Sequence, residues 1–201
     1  MYVKDQTMIF IPPSNDQLNA VFHYKDFITP KDCQRLISYG EKMGLEQAKI
    51  LTNAEQDSYV VSPVRKAKMT SFHINEELKP TFNLIQQLTE ICNEQFCFQL
   101  TGMLEALQFV RYEQGDGYGW HKDVGPGLLS MRKISVVIHL SDPGDFEGGC
   151  LQTMKDGVAT DCEWSQGSAT IMPSYELHRV TKITKGTRYS LMCWASGHPY
   201  K

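Results

Sequence analysis

Residues 107–123 read LQFVRYEQGDGYGWHKD. Two short runs of apolar, aromatic and β-branched side chains are parted here by a Gly- and Asp-rich break. Runs of this length bounded by such residues read as strands joined by a turn. The same texture continues to the C-terminal end. Strand candidates are residues 105–112, 118–122, 133–140, 150–154, 169–172, 179–184 and 187–194, separated by Gly, Pro and Asp clusters. Closely spaced strands of this kind predict an antiparallel β-sandwich or barrel.

Upstream of residue 100 the pattern is helical. Thr29-Pro30 reads as an N-cap and first helical position. The helix should run to about Gly44, with Cys33, Leu36, Ile37 and Met43 on its apolar side. A second helix is expected from about Pro80 to Phe96, where Phe82, Ile85, Leu88, Cys92 and Phe96 form one stripe. Residues 21–24 form a strand candidate, residues 1–20 a loose arm, and residues 45–63 a polar, loop-rich stretch. Helices first and strands after predict a mainly β fold with supporting helices (α+β). The 201 residues suit one domain, with helical support over about 21–100 and a β core over about 101–197.

Hydrophobic residues make up 41% and charged residues 21%, as in an ordinary globular protein. The formal net charge of -3 provides no global attraction to nucleic acid or to an anionic membrane. No apolar run reaches bilayer-spanning length, and the N-terminal MYVKDQTMIFIPPSND lacks the form of a signal peptide, so an intracellular, cytoplasmic setting is expected. The six scattered cysteines (Cys33, Cys92, Cys97, Cys150, Cys162, Cys193) contain no CxxC pair and are expected as free thiols.

His121 and Asp123 are two residues apart in a strand-like segment. Period two would place both on one face. Two imidazoles and a carboxylate on one face of an octahedral metal leave three positions open, which suits a non-haem Fe(II) oxygenase. The third ligand must come from a distant strand, and His178 in PSYELHRV fits. His23 and His73 lie in the helical half, His198 in the tail, and His139 has no carboxylate at short spacing. His-x-Asp alone is a weak signal. Ten residues after His178 come Arg188-Tyr189-Ser190. Arg188 and Ser190 share a strand face, and together can hold a carboxylate by charge-assisted hydrogen bonds. The turn at Lys185-Gly186 should return this strand beside the His178 strand.

Three segments, LQFVRYEQGDGYGWHKD, ISVVIHLSDPGDFEGGCLQT and GSATIMPSYELHRVTKITKGTRYSLMCWASG, resemble the prolyl 4-hydroxylase branch of the 2-oxoglutarate/Fe(II) oxygenases. They are especially similar to PKHD-type hydroxylases, and VFHYKDFITPKDCQRLI resembles the first strand and helix of that family. The resemblance implies a double-stranded β-helix, or jelly roll. It implies Fe(II), O2 and the cosubstrate 2-oxoglutarate, with ascorbate in support. It carries the metal-ligand roles onto His121, Asp123 and His178, and binding of the distal carboxylate onto Arg188, beside which Ser190 lies. Tyr112 matches a family tyrosine that contacts the cosubstrate, with a half-buried strand aromatic role equally open to it. His139 stands where many relatives have a tyrosine beside the distal carboxylate, and a core role is open to it as well. Tyr118 and Trp194 are implied at the substrate side, with a core or rim role open to Trp194. Gly148-Gly149 matches a family pair, for which a backbone turn is sufficient reason. Asp123 favours hydroxylation over halogenation, which needs its position vacant.

The implied substrate is a prolyl residue in a peptide or protein. A free amino acid or small metabolite is the alternative. The polar stretches 51–63 and 125–131 are candidate lids. A nucleic-acid dealkylase would need a basic groove. The only compact basic run, Arg65-Lys66-Ala67-Lys68, reads as a solvated edge. A non-catalytic, cupin-like metal barrel is a further alternative, and the Arg188 and Ser190 pair argues against it.

Overall fold

The computed structural model describes residues 20–53, 58–60 and 62–200. The chain opens with β1 (Phe22–Tyr24) and α1 (Pro30–Met43), then β2 (Glu46–Gln47), β3 (Ile50–Asn53), β4 (Ser58–Val60), β5 (Arg65–Lys66) and β6 (Lys68–Phe72). α2 (Lys79–Phe96) leads through β7 (Leu100–Gly102) into β8 (Leu107–Tyr112), β9 (Gly117–His121) and β10 (Arg132–His139). There follow β11 (Phe146–Gly148), β12 (Leu151–Lys155), β13 (Val158–Asp161), β14 (Ala169–Pro173), β15 (His178–Val180), β16 (Ile183–Gly186) and β17 (Arg188–Gly197).

α1 starts where the sequence signals it: the Thr29 hydroxyl accepts from the Asp32 N–H at 3.1 Å, and Pro30 needs no hydrogen-bond partner for its nitrogen. α2 ends without a glycine. Cys97 takes a left-handed conformation at φ 58°, held by the Asn93 side chain, which accepts from Phe98 N–H and donates to Phe98 C=O.

Two antiparallel sheets pack face to face. The larger runs β1-β14-β10-β17-β8-β6-β2, with β7 also on β17; the smaller runs β13-β12-β15-β9-β5. From β8 onward the chain alternates between them: β8, β10, β14 and β17 lie in the larger sheet, β9, β12 and β15 in the smaller. That alternation is the jelly-roll plan.

Period two divides each central strand between two cores. On β10, Ile134, Val136 and Ile138 face the helices, while Ser135, Val137 and His139 face the barrel interior. On β17, Leu191, Cys193 and Ala195 face the helices, while Arg188, Ser190, Met192 and Trp194 face inward. Both faces are covered, so every residue of β10 is buried. Cys33, Leu36, Ile85, Leu88, Cys92 and Phe96 seal the helix side. Each fully buried aliphatic side chain there contributes about 1.5–3 kcal/mol. Gly40 lets α1 close on the sheet, because a Cβ there would sit 2.4 Å from the Phe109 ring.

Several expectations are corrected. Residues 45–63 are not merely loop: β2 joins the larger sheet, β3 and β4 form a hairpin, and β5 and β6 just beyond also join the sheets. Two-residue strands and the polar run KMTSF carry too little alternation to be read from sequence. Met43 is 47% exposed, since α1 has passed the sheet by its last turn. The 179–184 candidate is two strands, β15 and β16. The turn after β16 does not return Arg188 beside His178: β15 already has β12 and β9 on its two edges, and the chain crosses into the larger sheet. Residues 1–19, 54–57 and 61, which include the expected arm and part of one candidate lid, lie outside the described residues. The other candidate lid contains a short 3-10 turn over Gly127–Met131.

All six cysteines are free, as expected. Among the described residues no helix is long and apolar enough to cross a membrane.

Candidate metal centre and the pocket behind it

His121 and His178 are direct cross-strand partners on β9 and β15, so the antiparallel register alone brings them together. Their ring centroids lie 4.1 Å apart. Asp123 is two residues past His121 but not on the strand, which stops at His121. The chain bends there, and Asp123 and Val124 both donate their N–H to the Ser174 carbonyl, at 2.9 and 3.0 Å. This anchor, rather than strand period, aims the carboxylate. Asp123 Oδ1 lies 3.6 Å from His121 Nε2, and Oδ2 lies 3.6 Å from His178 Nε2. One ligand atom from each residue falls within 4.8 Å of the other two.

The protonation pattern suits a metal. His121 Nδ1 is 2.8 Å from the Gly119 carbonyl, and His178 Nδ1 is 2.8 Å from the Glu176 carbonyl. A carbonyl only accepts, so each Nδ1 carries a proton, and in the neutral ring that leaves the lone pair on Nε2. Both Nε2 atoms are buried without a hydrogen-bond partner. Burial, helped by the adjacent His178, pushes the His121 pKa down to about 4, against the pull of Asp123. Burial alone would raise the Asp123 carboxyl. The neighbouring imidazoles, the Arg132 guanidinium and the Ser135 hydroxyl outweigh it and hold the pKa at about 2. A carboxylate, two lone-pair nitrogens and no internal partner for either nitrogen make a site that fits a divalent ion.

Behind the triad, β8, β10 and β17 bring four more expected residues together. Arg188 pairs in register with Tyr112, and Ser190 with His139. Arg188 is 2% exposed, and the charged or polar groups that favour its cationic form are Tyr112 and Cys150, not a carboxylate. A buried guanidinium without an anion is costly by several kcal/mol. The Tyr112 hydroxyl and Ser190 Oγ are also buried without partners. His139 Nδ1 is 3.4 Å from Arg188 Nη2, and its Nε2 is 2.9 Å from Thr170 Oγ1. Arginine only donates, so Nδ1 holds the lone pair and Nε2–H donates to Thr170. Burial and the Arg188 charge keep His139 neutral, with its pKa well below the usual value. These unfilled donors and the buried Arg188 guanidinium suit a small dicarboxylate whose far end reaches Arg188.

Gly149 makes room for this pocket. It turns at φ 61°, and a Cβ would lie 2.3 Å from Ile183 Cδ1 and 3.1 Å from Arg188 Cδ.

Tyr118 stacks on His121, centroids 3.5 Å apart and planes within 12°. Its phenol is pushed up to about 12, chiefly by burial. Trp194 is 3% exposed on the inner face, with the Arg132 guanidinium 3.5 Å from its ring centroid.

Several site groups were not anticipated. Ser135 and Ser174 hydrogen-bond in series toward Asp123. Arg132 binds both Glu105 oxygens and the Asp123 carbonyl. Trp164 stacks on His139. Ser135 had one legible signal: a lone hydroxyl four residues from His139 within an aliphatic strand, hence on the same face. The basic run is a solvated edge only in part: Lys66 is exposed on the edge strand β5, but Arg65 turns inward. Arg65 is 7% exposed, while Lys66 and Lys68 pair with Asp116 and Glu113. It offers no free basic groove.

The model of the 2OG-Fe(II) oxygenase superfamily matches residues 107–196. A PKHD-type hydroxylase of Synechococcus sp. (strain CC9902) is 29% identical over 131 residues, 62% of this chain and 59% of that protein. One from Teredinibacter turnerae is 36% identical over 92 residues, 43% of this chain and 41% of that protein. The chain thus spans about half the length of the curated relatives it matches. Among solved structures, a Pseudomonas putida prolyl-4-hydroxylase superposes with TM-score 0.69 at 19% identity, covering 91% of this chain and 96% of its own. A Trichoplax adhaerens prolyl hydroxylase, in complex with a hypoxia inducible factor oxygen degradation domain peptide fragment, gives 0.73 at 18% identity, covering 90% and 86%. These superpositions establish the shared jelly-roll fold. Residues 107–196, which carry the three candidate ligands and Arg188, match the model of the 2OG-Fe(II) oxygenase superfamily.

Proposed function

We propose that the chain is a 2-oxoglutarate-dependent hydroxylase that holds Fe(II) through His121, Asp123 and His178 and acts on a prolyl residue of a peptide or protein. The observation that carries this reading is the pairing of needs inside one barrel. Two buried Nε2 atoms lack a partner at one end, and a buried guanidinium lacks an anion at the other. The resemblance to PKHD-type and prolyl hydroxylases supports the substrate class. In this reading residues 1–201 form one oxygenase domain.

Fe(II), O2 and 2-oxoglutarate would supply the oxidising chemistry, giving succinate, CO2 and a hydroxylated C–H carbon. The protein's part is placement. His121 and His178 offer neutral nitrogens whose tautomers are fixed by the Gly119 and Glu176 carbonyls. Asp123 adds the negative charge that balances a divalent ion. Arg188 and Ser190 would take the distal carboxylate of the cosubstrate, with Tyr112 closing the pocket from β8. His139 fixes the guanidinium plane by accepting from Nη2. Tyr118, flat against His121 on the smaller sheet, would line the substrate side, with Trp194 on the inner face of the larger sheet opposite. No side chain is asked to act as a nucleophile.

The test is a panel of prolyl peptides and free amino acids, read by mass gain of one oxygen and by succinate release. Substrate-dependent succinate should appear with the parent and vanish in His121→Ala and Asp123→Ala. Full activity in either variant refutes the assignment. Oxygen gain on free amino acids alone refutes the peptide substrate and leaves the chemistry standing.

A further inference from the structure

Both Asp123 oxygens face the imidazoles, Oδ1 3.6 Å from His121 Nε2 and Oδ2 3.6 Å from His178 Nε2, but their hydrogen bonding differs. Oδ2 accepts from Ser135 Oγ at 2.6 Å, whereas Oδ1 takes no hydrogen bond from any described residue. Ser135 Oγ also lies 3.0 Å from Ser174 Oγ, where geometry alone leaves the donor open. The chemistry decides it. An ionised carboxylate only accepts, so the single Ser135 hydrogen points to Asp123, and Ser174 must donate to Ser135. The chain is directed: Ser174 O–H to Ser135 Oγ, Ser135 O–H to Asp123 Oδ2. All three residues are at least nine-tenths buried, so water does not compete. The Ser174 backbone carbonyl meanwhile accepts from the Asp123 and Val124 N–H groups. Ser174 therefore grips the Asp123 loop by its backbone and, through Ser135, its carboxylate.

We infer that Ser135, steered by Ser174, confines Asp123 to a single coordinating oxygen and so preserves a third open position on the metal. A carboxylate with both oxygens free can chelate. An octahedral ion held by two imidazoles and a chelating carboxylate keeps two open positions; held by one oxygen it keeps three. A two-oxygen chelate by the cosubstrate consumes two, so the third is the one O2 requires. Ser135 is thus a positioning residue that acts through Asp123. This inference rests on the reading that the triad binds a divalent ion.

Water-proton relaxation by Mn(II) bound to the full chain, without cosubstrate, counts the open positions directly. The parent should hold three exchangeable waters. Ser135→Ala should hold two, lowering the inner-sphere relaxation enhancement by about a third. Ser135→Cys keeps most of the volume and lacks a strong donor, and should behave like Ser135→Ala. Ser135→Thr restores the hydroxyl and should return three. Thermal melts report folding separately. Three waters in both Ser135→Ala and Ser135→Cys would overturn the inference while the metal site stands. A parent that shows no saturable Mn(II) enhancement would overturn the metal centre itself.

Discussion

Arg188 and His139 meet deep in the barrel, a guanidinium Nη2 set 3.4 Å from an imidazole lone pair at Nδ1. The contact fixes one edge of the guanidinium and leaves the rest of its donors for a ligand. Arg188 should therefore govern cosubstrate affinity with little effect on metal affinity. Each charge-assisted hydrogen bond lost contributes about 1.5–3 kcal/mol. Arg188→Ala should weaken 2-oxoglutarate binding by about 100-fold or more, and Arg188→Lys by less. Anaerobic titration of the visible band of the Fe(II)–2-oxoglutarate complex measures both. Unchanged affinity in Arg188→Ala would remove the distal carboxylate from this position.

Glycine 149 offers a test of the same pocket from its outer wall. A methyl group there collides with Ile183 and presses on the Arg188 side chain, at a φ of 61° that L-residues avoid. Gly149→Ala should lower stability by about 1–2 kcal/mol and also weaken cosubstrate binding, because the Arg188 stem must shift. Loss of stability with unchanged 2-oxoglutarate affinity would mean that Arg188 tolerates the displacement.

Gly40 gives the contrasting case. Its missing side chain faces the Phe109 ring, which is itself stacked between Phe72 at 5.3 Å and Tyr189 at 5.6 Å. The ring has no room to retreat. Overpacking costs about 1–3 kcal/mol, against about 1 kcal/mol gained from alanine's helix preference. Gly40→Ala should lower the melting temperature and leave cosubstrate affinity alone. A stabilised variant would show that α1 can lift from the sheet without penalty.

The parts of this molecule legible in sequence are those written in local pattern. Thr29-Pro30 announces α1, the Ile85-Leu88-Cys92-Phe96 stripe announces α2, and the β-rich runs after residue 100 announce the sandwich. His121, Asp123 and His178 were legible as a set because residue type and order restrict the choice, and the structure brings them together. What aims Asp123 was not legible. Its neighbours Ser174 and Ser135 are 51 and 12 residues away along the chain, and no short spacing marks them. Sheet membership was hidden for the same reason. The Lys185-Gly186 turn suggests a hairpin, but whether β17 pairs with β15 depends on edges already taken by β9 and β12. Arg65 was misjudged because its lysine neighbours set the local composition, while its own side chain turns inward to Gln108 at 3.2 Å.

The buried neutral histidines impose a pH dependence on the metal-free protein. His121 has a pKa of about 4 in the fold, against 6.5 for an ordinary imidazole, and His139 moves in the same direction. Between those values the unfolded chain binds protons that the folded chain refuses. Stability therefore rises with pH in this window and is lost as pH falls from about 6.5 toward 4, by about 1.4 kcal/mol per pH unit for each such group. Asp123 adds a later loss. Its carboxyl is held at about 2 against an ordinary 3.8, so its contribution is present above 3.8 and disappears as pH drops toward 2. Chelator-treated protein should melt at a lower temperature at pH 5 than at pH 7. His139→Gln removes one of the refusing groups and should flatten that slope by about one proton. A parent whose melting temperature is the same at pH 5 and pH 7 would mean that His121 and His139 take up protons in the folded state, and that their rings are less sheltered than the Gly119 and Arg188 contacts require.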